Sequence, residues 1–401
     1  MTDSITSLDV ARHDDVLDLL VTAFDDPKLR EFFRRHQVED PAWRPSQQRV
    51  IEVGGVPLAH LWLAHRTMRY GVARVPFGGI ADVATHPDHR GLGYCGRLLD
   101  DAIVSMAEQD LPLSVLFSGS PKVYRGRGWL PISSDWIEAS LATAPVAEST
   151  GYVVRPFEAA HLDDVMGTYE EVSSEMVGPL ARSEAYWSAL QQWLPAKPDS
   201  TGFFFDVLFH VRTLVGYAIT RVRGDELQIM DAGLQYEALG LPMLRHWQQR
   251  AQQLGISAVT GRLHHSHPMF SLLVKHAGGR LVQRDDVMLR LNSVPGLLAA
   301  ITPELERRRR RAFPLAGPTF VLAVGDERVR IESPIAKVML GEPHGDEPML
   351  QFTPQDFLRV LMGHDGGSEA IRAQDAPAQV KVFATSLFPN RGYQYWLADL
   401  F

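Results

Sequence analysis

The sequence predicts a mixed α/β fold in which two similar α/β units precede a small α+β domain. Between residues 79 and 117, a strand, a glycine-bearing turn, a helix and a second strand follow one another. Part of the opening pattern returns near residue 150, and the pattern changes again near residue 294. The 401 residues exceed what one hydrophobic core usually serves. The predicted domains are therefore 1–148, 149–293 and 294–401.

The first unit is predicted to alternate strands and helices. It opens with a short strand at 7–10 and an amphipathic helix, whose apolar positions recur at helical spacing up to Phe24. Gly54 and Gly55 separate two β-rich runs, which predicts a hairpin. Two strands joined through a helix are expected to be parallel neighbours, with the helix N-terminus directed at a ligand. The later elements are a strand at 79–85, a turn at 90–93, a helix at 94–109 and a strand at 113–117.

The second unit repeats this order with one difference. Residues 238–242 (ALGLP) stand before its main helix, where the first unit has an arginine-bearing glycine turn. We therefore expect a degenerate copy without the chemistry of the first. Its predicted elements are strands at 152–156, 203–209 and 214–221 and a helix at 239–253; the third unit is predicted to have helices at 295–306 and 357–362 and strands at 320–324, 328–331 and 350–352.

Charge and cysteine content exclude several classes of protein. Lys and Arg number 40 against 48 Asp and Glu, a net charge of -8, which disfavours DNA or anionic membranes as partners and favours a cationic small substrate. The single cysteine, Cys95, excludes an internal disulfide and a thiolate-rich metal site. We find neither a secretory signal pattern nor a long uncharged apolar stretch, so the expected location is cytoplasmic.

The most informative segment is 86–99, HPDHRGLGYCGRLL, which links a predicted strand to a predicted helix. Backbone amides of such a turn, together with the helix dipole, can hold a pyrophosphate. Gly93 and Gly96 would let the backbone approach that group. Arg90 and Arg97 can add charge-assisted hydrogen bonds.

This segment resembles the GCN5-related N-acetyltransferase (GNAT) superfamily, whose pyrophosphate motif is Arg or Gln-x-x-Gly-x-Gly or Ala. Arg90, Gly93 and Cys95 fill the three positions, and Cys95 departs from the usual Gly or Ala. The resemblance implies that acetyl-CoA lies between two splayed parallel strands, at 79–85 and 113–118. The cofactor-binding residues that it implies are Val83, Ala84, Thr85, Arg90, Gly91, Leu92, Gly93, Tyr94, Cys95, Gly96 and Ser118.

Residues 118–129 resemble a narrower branch, the enhanced intracellular survival (Eis) type, in which a Tyr-x-x-x-Gly-aromatic segment follows the last of these strands. The chain length, the tandem acetyltransferase-like domains, a C-terminal domain resembling the sterol carrier protein fold and the aromatic last residue also match. The resemblance implies that Tyr124 is a general acid toward the CoA thiolate. It further implies that the terminal carboxylate of Phe401 is the general base, and that the protein forms oligomers, including hexamers.

The ordinary pKa values of a phenol and a carboxylate limit what Tyr124 and the Phe401 carboxylate can do. A phenol has a pKa of about 10 and a thiol a pKa of about 8.5, so a phenol is a weak proton donor to a thiolate. Tyr124 would therefore act mainly by donating a hydrogen bond to the thiolate. A terminal carboxylate with a pKa of about 3.5 is a weak base unless it is desolvated, and it can act directly or through water. The alternatives to these catalytic roles are that Tyr124 is a core residue with a satisfied hydroxyl and that the terminus at Phe401 is exposed to solvent. The aromatic and apolar ending at 393–401 favours a buried tail.

Substrate contacts are less defined by the sequence. By similarity to the family, Asp25 and Asp26 lie near the acceptor site and could attract an ammonium group; the alternative is a helix-ending turn. Glu52 and Asp399 could add negative charge. The expected acceptor is a primary amine of an aminoglycoside, a polyamine or a lysine, in a small molecule or peptide.

A cluster of histidines and a run of arginines are both expected to have structural rather than catalytic roles. The histidines at 264, 265 and 267 show no nearby acidic or cysteine partner, so no metal site is expected. The arginines at 307–311 are expected to be a solvated end of a helix opened by Pro303, or an interdomain contact. The competing hypotheses are a non-catalytic acetyl-CoA or lipid binding protein, and an RNA-associated factor that uses these arginines.

Overall fold

The protein is represented by a computed structural model, which describes residues 4–118, 120–143, 150–193, 202–313, 316–335, 337–363 and 366–400. The described chain forms one 13-stranded sheet and one 4-stranded sheet, with helices packed on both. The predicted mixed α/β class is confirmed. Among the described residues, no helix is long and apolar enough to cross a membrane.

The first unit contains most of the elements that its sequence predicts. Its first strand lies earlier than expected, because residues 8 and 9 have no regular structure and Val10–Arg12 form a short 3-10 helix. Its helices and strands are β1 (Ser4–Ser7), α1 (His13–Phe24), α2 (Leu29–Val38), β2 (Gln48–Val53), β3 (Val56–Tyr70), β4 (Ala73–Thr85), α3 (Tyr94–Glu108), β5 (Leu113–Phe117), α4 (Lys122–Arg125) and β6 (Leu130–Ser140).

The second unit has the same order of strands and helices as the first, with one additional strand between its first two helices. Its elements are β7 (Tyr152–Pro156), α5 (Leu162–Ser173), β8 (Val177–Leu180), α6 (Glu184–Trp193), β9 (Phe203–His210), β10 (Thr213–Arg223), β11 (Glu226–Leu234), α7 (Gly240–Leu254), β12 (Ala258–Arg262), α8 (Pro268–Ala277) and β13 (Arg280–Leu291).

The third unit forms its own small sheet, in the order β16-β15-β14-β17. Thr353 caps α10 by accepting a hydrogen bond from the Asp356 amide. The elements are α9 (Val294–Ala312), β14 (Gly317–Val324), β15 (Glu327–Ser333), β16 (Met339–Gly341), β17 (Met349–Phe352), α10 (Pro354–Leu361), α11 (Gly367–Arg372) and α12 (Ala378–Leu387). Its likeness to the sterol carrier protein fold stays a prediction.

The first two units share the large sheet by exchanging strands. The strand order is β1-β2-β3-β4-β5-β13-β6-β12-β11-β10-β9-β7, and β8 pairs separately with β3. Strand β13 of the second unit is antiparallel to both β5 and β6, between which it lies. Strand β6 of the first unit lies in turn beside β12 of the second. The sheet is therefore continuous across the predicted boundary at residue 148.

Helix α3 is held against the sheet by an apolar face. Leu98, Leu99, Ala102 and Met106 are buried with Leu61, Leu63, Ile80 and Leu116 in one hydrophobic cluster. Burying such side chains stabilises the fold by roughly 1.5 to 3 kcal/mol each. This packing fixes the N-terminus of α3 beside the ends of β4 and β5, where the candidate site lies.

The arginine run at 307–311 is largely an interdomain contact. Helix α9 begins at Val294 after the Ser293 cap, so the prediction that Pro303 opens it is wrong. Arg308 and Arg309 are only 4% and 1% exposed. Arg307 pairs with Glu175 of the second unit at 2.5 Å. The buried guanidinium groups are thus engaged within the protein, which removes the main support for the RNA hypothesis.

Candidate active site

A cavity of about 880 Å³ opens where β4 and β5 stop pairing. The two strands are parallel neighbours from Phe77↔Leu113 to Gly79↔Val115. Beyond these pairs they separate, and the end of β4, the end of β5 and the turn before α3 form the cavity walls. Backbone groups that the sheet leaves unpaired there are available to a ligand.

Most of the predicted site residues line this cavity. Leu92 and Gly96 are not among the lining residues. A Cβ on Gly96 would lie 2.4 Å from the guanidinium group of Arg127, so this glycine leaves room for an arginine that pairs with Asp100 at 2.6 Å. The predicted residues in the lining are Val83, Ala84, Thr85, Arg90, Gly91, Gly93, Tyr94, Cys95, Ser118 and Tyr124.

Other residues that line the cavity are not among the predicted site residues. Phe24, Asp82 and Phe117 line the cavity, together with Ala23, Ile80, Ala81, His89, Ser120 and Val123. Asp82 marks a bulge in β4, since its φ of 48° is rare for a residue other than glycine. The pairing of β3 with β4 shifts register at this point. A strand pattern in the sequence carries no signal for such a local irregularity.

Buried polar side chains hold this bulge. The carbonyl oxygen of Asp82 lies 2.8 Å from His60 Nδ1, and its carboxylate accepts a hydrogen bond of 2.6 Å from Gln37 Nε2. Burial lowers the pKa of His60, so a neutral ring is favoured there. The strained residue is therefore fixed from two sides, and the end of β4 has a defined shape in the cavity wall.

The turn before α3 has the geometry of an anion cradle. Gly91 and Gly93 have φ values of 82° and 83°, and Gly93 is the N-cap of α3. A Cβ on either glycine would meet no atom within 4 Å, so the backbone borders open space. The guanidinium group of Arg90 donates to the carbonyl oxygen of Ala23 at 2.8 Å, which places this cation at the cavity. The arrangement suits a phosphate group.

Tyr124 lies in α4 and lines the same cavity. Burial, reinforced by the nearby Cys95 thiol, raises the pKa of Tyr124 to about 12, although its hydrogen bond with Ser118 acts in the opposite direction. Its ring packs edge-on against Trp129, with centroids 6.4 Å apart. The phenol therefore stays protonated at neutral pH, and it can donate a hydrogen bond to a group in the cavity.

The C-terminal segment enters the protein and reaches the cavity wall. The ring of Tyr395 lies 4.9 Å from that of Phe117, which lines the cavity. Tyr395 and Trp396 are 0% and 1% exposed. The predicted burial of the tail thus holds through Asp399, whereas Leu400, the last described residue, is 41% exposed. Phe401, the predicted base, lies outside the described residues.

A buried ion cluster anchors this tail. Arg182 donates to both carboxylate oxygens of Asp399 at 2.9 and 2.8 Å, and it lies 2.6 Å from Asp231. Its guanidinium group lies over the rings of Tyr169 and Trp187, at 4.2 and 4.5 Å. Burial raises the pKa of Asp231 to about 6. The charge of Asp399 is therefore already paired two residues before the chain end, so Asp399 is not a substrate carboxylate.

The predicted acceptor-binding residues lie beside the cavity. Asp25 is exposed and ends α1 in a left-handed conformation, directly after Phe24 of the cavity wall. Asp26 accepts a hydrogen bond from the Lys28 amide at 3.0 Å, which fits the turn that was the alternative interpretation. Glu52 pairs with Arg12 at 2.7 Å, so its charge is also compensated.

The corresponding cleft of the second unit is filled by protein. Strands β11 and β12 pair in parallel up to Ile229↔Gly261, as β4 and β5 do. Just beyond, Arg262 donates to the carbonyl oxygen of Tyr395 at 3.4 Å, and the His267 ring packs edge-on against Trp396 at 5.6 Å. The tail therefore lies where a ligand would enter, which agrees with a copy that lacks the chemistry.

The histidine cluster differs from its sequence interpretation. His265 Nδ1 lies 2.7 Å and His264 Nε2 lies 3.6 Å from Asp135 Oδ2. The argument that these histidines lack an acidic partner is therefore wrong. Asp135 is remote in sequence, and the pairing of β6 with β12 brings it beside the loop that carries them.

Comparisons with known proteins agree with this geometry. Residues 4–132 match the family model of the acetyltransferase (GNAT) domain. The GCN5-related N-acetyltransferase of Anabaena variabilis has a TM-score of 0.76 and 19% identity over 100% of both chains. That of Kribbella flavida has a TM-score of 0.74 and 18% identity over 100% of this chain and 99% of its own. Eis1 of Mycobacterium abscessus has a TM-score of 0.64 and 16% identity over 100% of both chains.

These identities show a shared fold along the whole chain, and the family model identifies the class of the first unit. The chain contains a GNAT acetyltransferase domain, with the overall fold of the Eis-type structures. Members of the family that this domain matches are acyl-CoA-dependent acetyltransferases. No curated protein sequence matches the chain significantly.

Proposed function

We propose that the protein transfers an acetyl group from acetyl-CoA to a primary amine in a ternary complex. The observation that carries this proposal is one cavity that joins the glycine turn, the unpaired end of β4 and Tyr124. A volume of about 880 Å³ is of the size that binds a large cofactor-like ligand. The resemblance to the family supplies the identity of the thioester.

The cofactor-binding surface is proposed to act through the backbone. Main-chain groups of residues 83–85 pair with the pantetheine arm, since β5 leaves this edge of β4 unpaired. The turn at 91–93 and the N-terminus of α3 hold the pyrophosphate. Arg90 adds a charge-assisted contact.

Tyr124 is proposed to stabilise the leaving thiolate. The amine nitrogen attacks the thioester carbonyl carbon, the C–S bond breaks, and the sulfur leaves with the electron pair of that bond. A phenol with a pKa of about 12 is a poor proton donor to a thiolate whose conjugate acid has a pKa of about 8.5. Its contribution is therefore a hydrogen bond to the developing negative charge.

The carboxylate of Phe401 is proposed to accept the amine proton, directly or through water, with Phe401 taken as the last residue of the protein. The support is the tail, which is buried through Asp399 and touches the cavity wall through Tyr395. Removal from bulk water would raise the pKa of a carboxylate and make it a stronger base. The Arg182 anchor would hold it in one place.

The acceptor is proposed to be a cationic amine, namely an aminoglycoside, a polyamine or a lysine side chain. A net charge of -8 favours such a substrate, and exposed Asp25 beside the cavity gives a local attraction. Phe24, which is 48% exposed and lines the cavity, offers an apolar contact for the carbon skeleton. Oligomerisation and a cytoplasmic location stay predictions.

The test is release of CoA thiol from acetyl-CoA across a panel of amines. We compare the native chain, a chain with one glycine added after Phe401, and Phe401→Leu, which keeps the terminal carboxylate. We expect the native chain and Phe401→Leu to turn over a polyamine or aminoglycoside, and the extended chain to bind acetyl-CoA without turnover.

Equal turnover by the extended chain would contradict the role of Phe401. Acetyl-CoA binding without turnover of any amine would instead favour the alternative of a non-catalytic acetyl-CoA binding protein. Binding is measured separately, by titration calorimetry, so that a loss of turnover is not confused with a loss of affinity.

A further inference from the structure

A second cluster of reactive side chains lies at the junction of the three units, apart from the acetyl-CoA cavity. Asp135 comes from β6, while His264 and His265 come from the loop after β12. Each of the three side chains offers one ligand atom, a carboxylate oxygen of Asp135 or a ring nitrogen of a histidine. These three atoms lie within 4.8 Å of one another. Gly392 and Tyr393, at the start of the C-terminal tail, cover the cluster.

The space between these groups is the size of one ion. A cavity of about 10 Å³ is lined by the three side chains, by Ser133 and Gln283, and by the two residues of the tail. About this volume holds one water molecule.

The nitrogen and oxygen donors of this cluster favour one kind of metal ion. Two imidazoles and one carboxylate are typical zinc ligands, whereas magnesium and calcium prefer oxygen donors alone. Bonds of about 2.1 Å to tetrahedral zinc place ligand atoms roughly 3.4 Å apart. Asp135 Oδ2 lies 2.7 Å from His265 Nδ1 and 3.6 Å from His264 Nε2, so small side-chain movements suffice.

The surroundings orient the histidine rings. His264 Nδ1 lies 2.7 Å from the Ser266 hydroxyl oxygen, which can accept the ring N–H, and this tautomer leaves the Nε2 lone pair facing Asp135. Zinc binding through Nε2 therefore requires Nδ1–H to donate to this hydroxyl, in place of the hydrogen bond that Nδ1 accepts from the Ser266 amide at 3.1 Å. Such outer contacts are usual for metal-bound histidines. A Cβ on Gly392 would lie 1.8 Å from His264 Nε2, so only glycine permits this approach of the tail.

We propose that Asp135, His264 and His265 bind one zinc ion, with water as the fourth ligand, and that this site clamps the C-terminal tail to the two sheet-forming units. Zinc binds the lone pair of His265 Nδ1, so the ring proton that bridges Nδ1 and Asp135 moves to Nε2 and the Asp135 carboxylate binds the metal directly. The tail then leaves the clamp at Tyr393 and continues to the acetyl-CoA cavity. The proposal does not depend on the acyl acceptor or on the role of Phe401.

The test is zinc binding to the chelator-treated full chain, measured by competition with a chromophoric chelator. We expect one zinc per chain with a dissociation constant at or below about 1 µM, and at least a hundredfold weaker binding for His264→Ala and for Asp135→Asn. Cobalt substituted for zinc should give the visible absorption of a four-coordinate site. His276→Ala, which removes an exposed histidine from α8, is the matched control and should bind as the native chain does.

A second measurement concerns the clamp. Zinc should raise the melting temperature and slow proteolysis of the tail in the native chain, and it should do neither in His265→Ala, whose partly exposed ring makes misfolding an inadequate explanation. Equal zinc affinity in the native chain and in the ligand variants would overturn the site. Tight binding without protection of the tail would overturn the clamp.

Discussion

At the scale of single residues, burial determines what Tyr124 can do. The structure raises its pKa to about 12, whereas an efficient proton donor to a thiolate would need a lowered pKa. The hydroxyl is thus kept in its donor form over the whole physiological range. Hydrogen-bond donation, without full proton transfer, is the role that this environment supports.

We expect Tyr124→Phe to lower kcat about a hundredfold, because one donor to the developing charge is lost. The dissociation constant of acetyl-CoA should hardly change, since the backbone holds most of the ligand. Steady-state kinetics and calorimetry measure the two quantities. Tyr236→Phe, at a 54% exposed position of the second unit, is the control. An unchanged kcat in Tyr124→Phe would exclude the proposed role.

At the scale of elements, the turn that starts α3 should respond to one added methyl group. Gly93→Ala forces a left-handed conformation on alanine, which costs about 1 kcal/mol of unfolding free energy. The Cβ also projects into the open space proposed for the pyrophosphate. We therefore expect about tenfold weaker acetyl-CoA binding, measured by calorimetry.

The second unit provides a matched control for this change. Gly255 ends α7 with a φ of 69°, and its Cβ would also meet no atom within 4 Å. Gly255→Ala should lose a similar unfolding free energy while acetyl-CoA binding stays native. Equal effects of the two variants on binding would mean that strain, and not the cradle, is responsible.

The N-terminus of α8 should make the fold sensitive to acid. His267 caps this helix by accepting a hydrogen bond from the Met269 amide, and burial lowers its pKa to about 4. The unfolded histidine titrates near 6.5, so the unfolded chain binds more protons as pH falls below that value. Stability is full above pH 6.5, and we expect a loss of about 2 kcal/mol at pH 5.

Urea unfolding at pH 7 and pH 5 measures this loss. His267→Asn keeps a capping side chain but cannot titrate, so its stability should depend less on pH than that of the native chain. The same pH dependence in both proteins would show that His267 is not the responsible group. Other buried histidines, such as His36 and His60, also have lowered pKa values and leave some dependence in the variant.

Local patterns predicted individual elements well. Strand β5 and strand β7 have their predicted bounds, because short β-rich runs end at glycine, proline or polar residues. The glycine turn was recognised because its spacing reflects backbone geometry. The irregularity at Asp82 and the pairing of Asp135 with the histidines were missed, since each depends on residues remote in sequence and no local period records such contacts.

At the scale of the whole molecule, the exchange of strands makes the first two units interdependent. In the sheet, strands β5 and β6 of the first unit do not neighbour each other, and β13 of the second unit lies between them and pairs with both. Residues 1–143 alone should therefore show no cooperative unfolding transition by calorimetry and no acetyl-CoA binding. A full chain cut by a protease within 144–149 should stay associated and active. A stable, ligand-binding 1–143 fragment would contradict this interpretation.

The same exchange has a consequence during protein synthesis. When the ribosome has finished β6 at Ser140, the strand that must lie between β5 and β6 has not yet been made, because β13 ends at Leu291. At about 5 to 20 residues per second, the gap lasts roughly 8 to 30 s. Two apolar strand edges stay open for that time and can pair with other nascent chains. Yield in the cell should therefore depend on the supply of chaperones and on the speed of translation through the second unit.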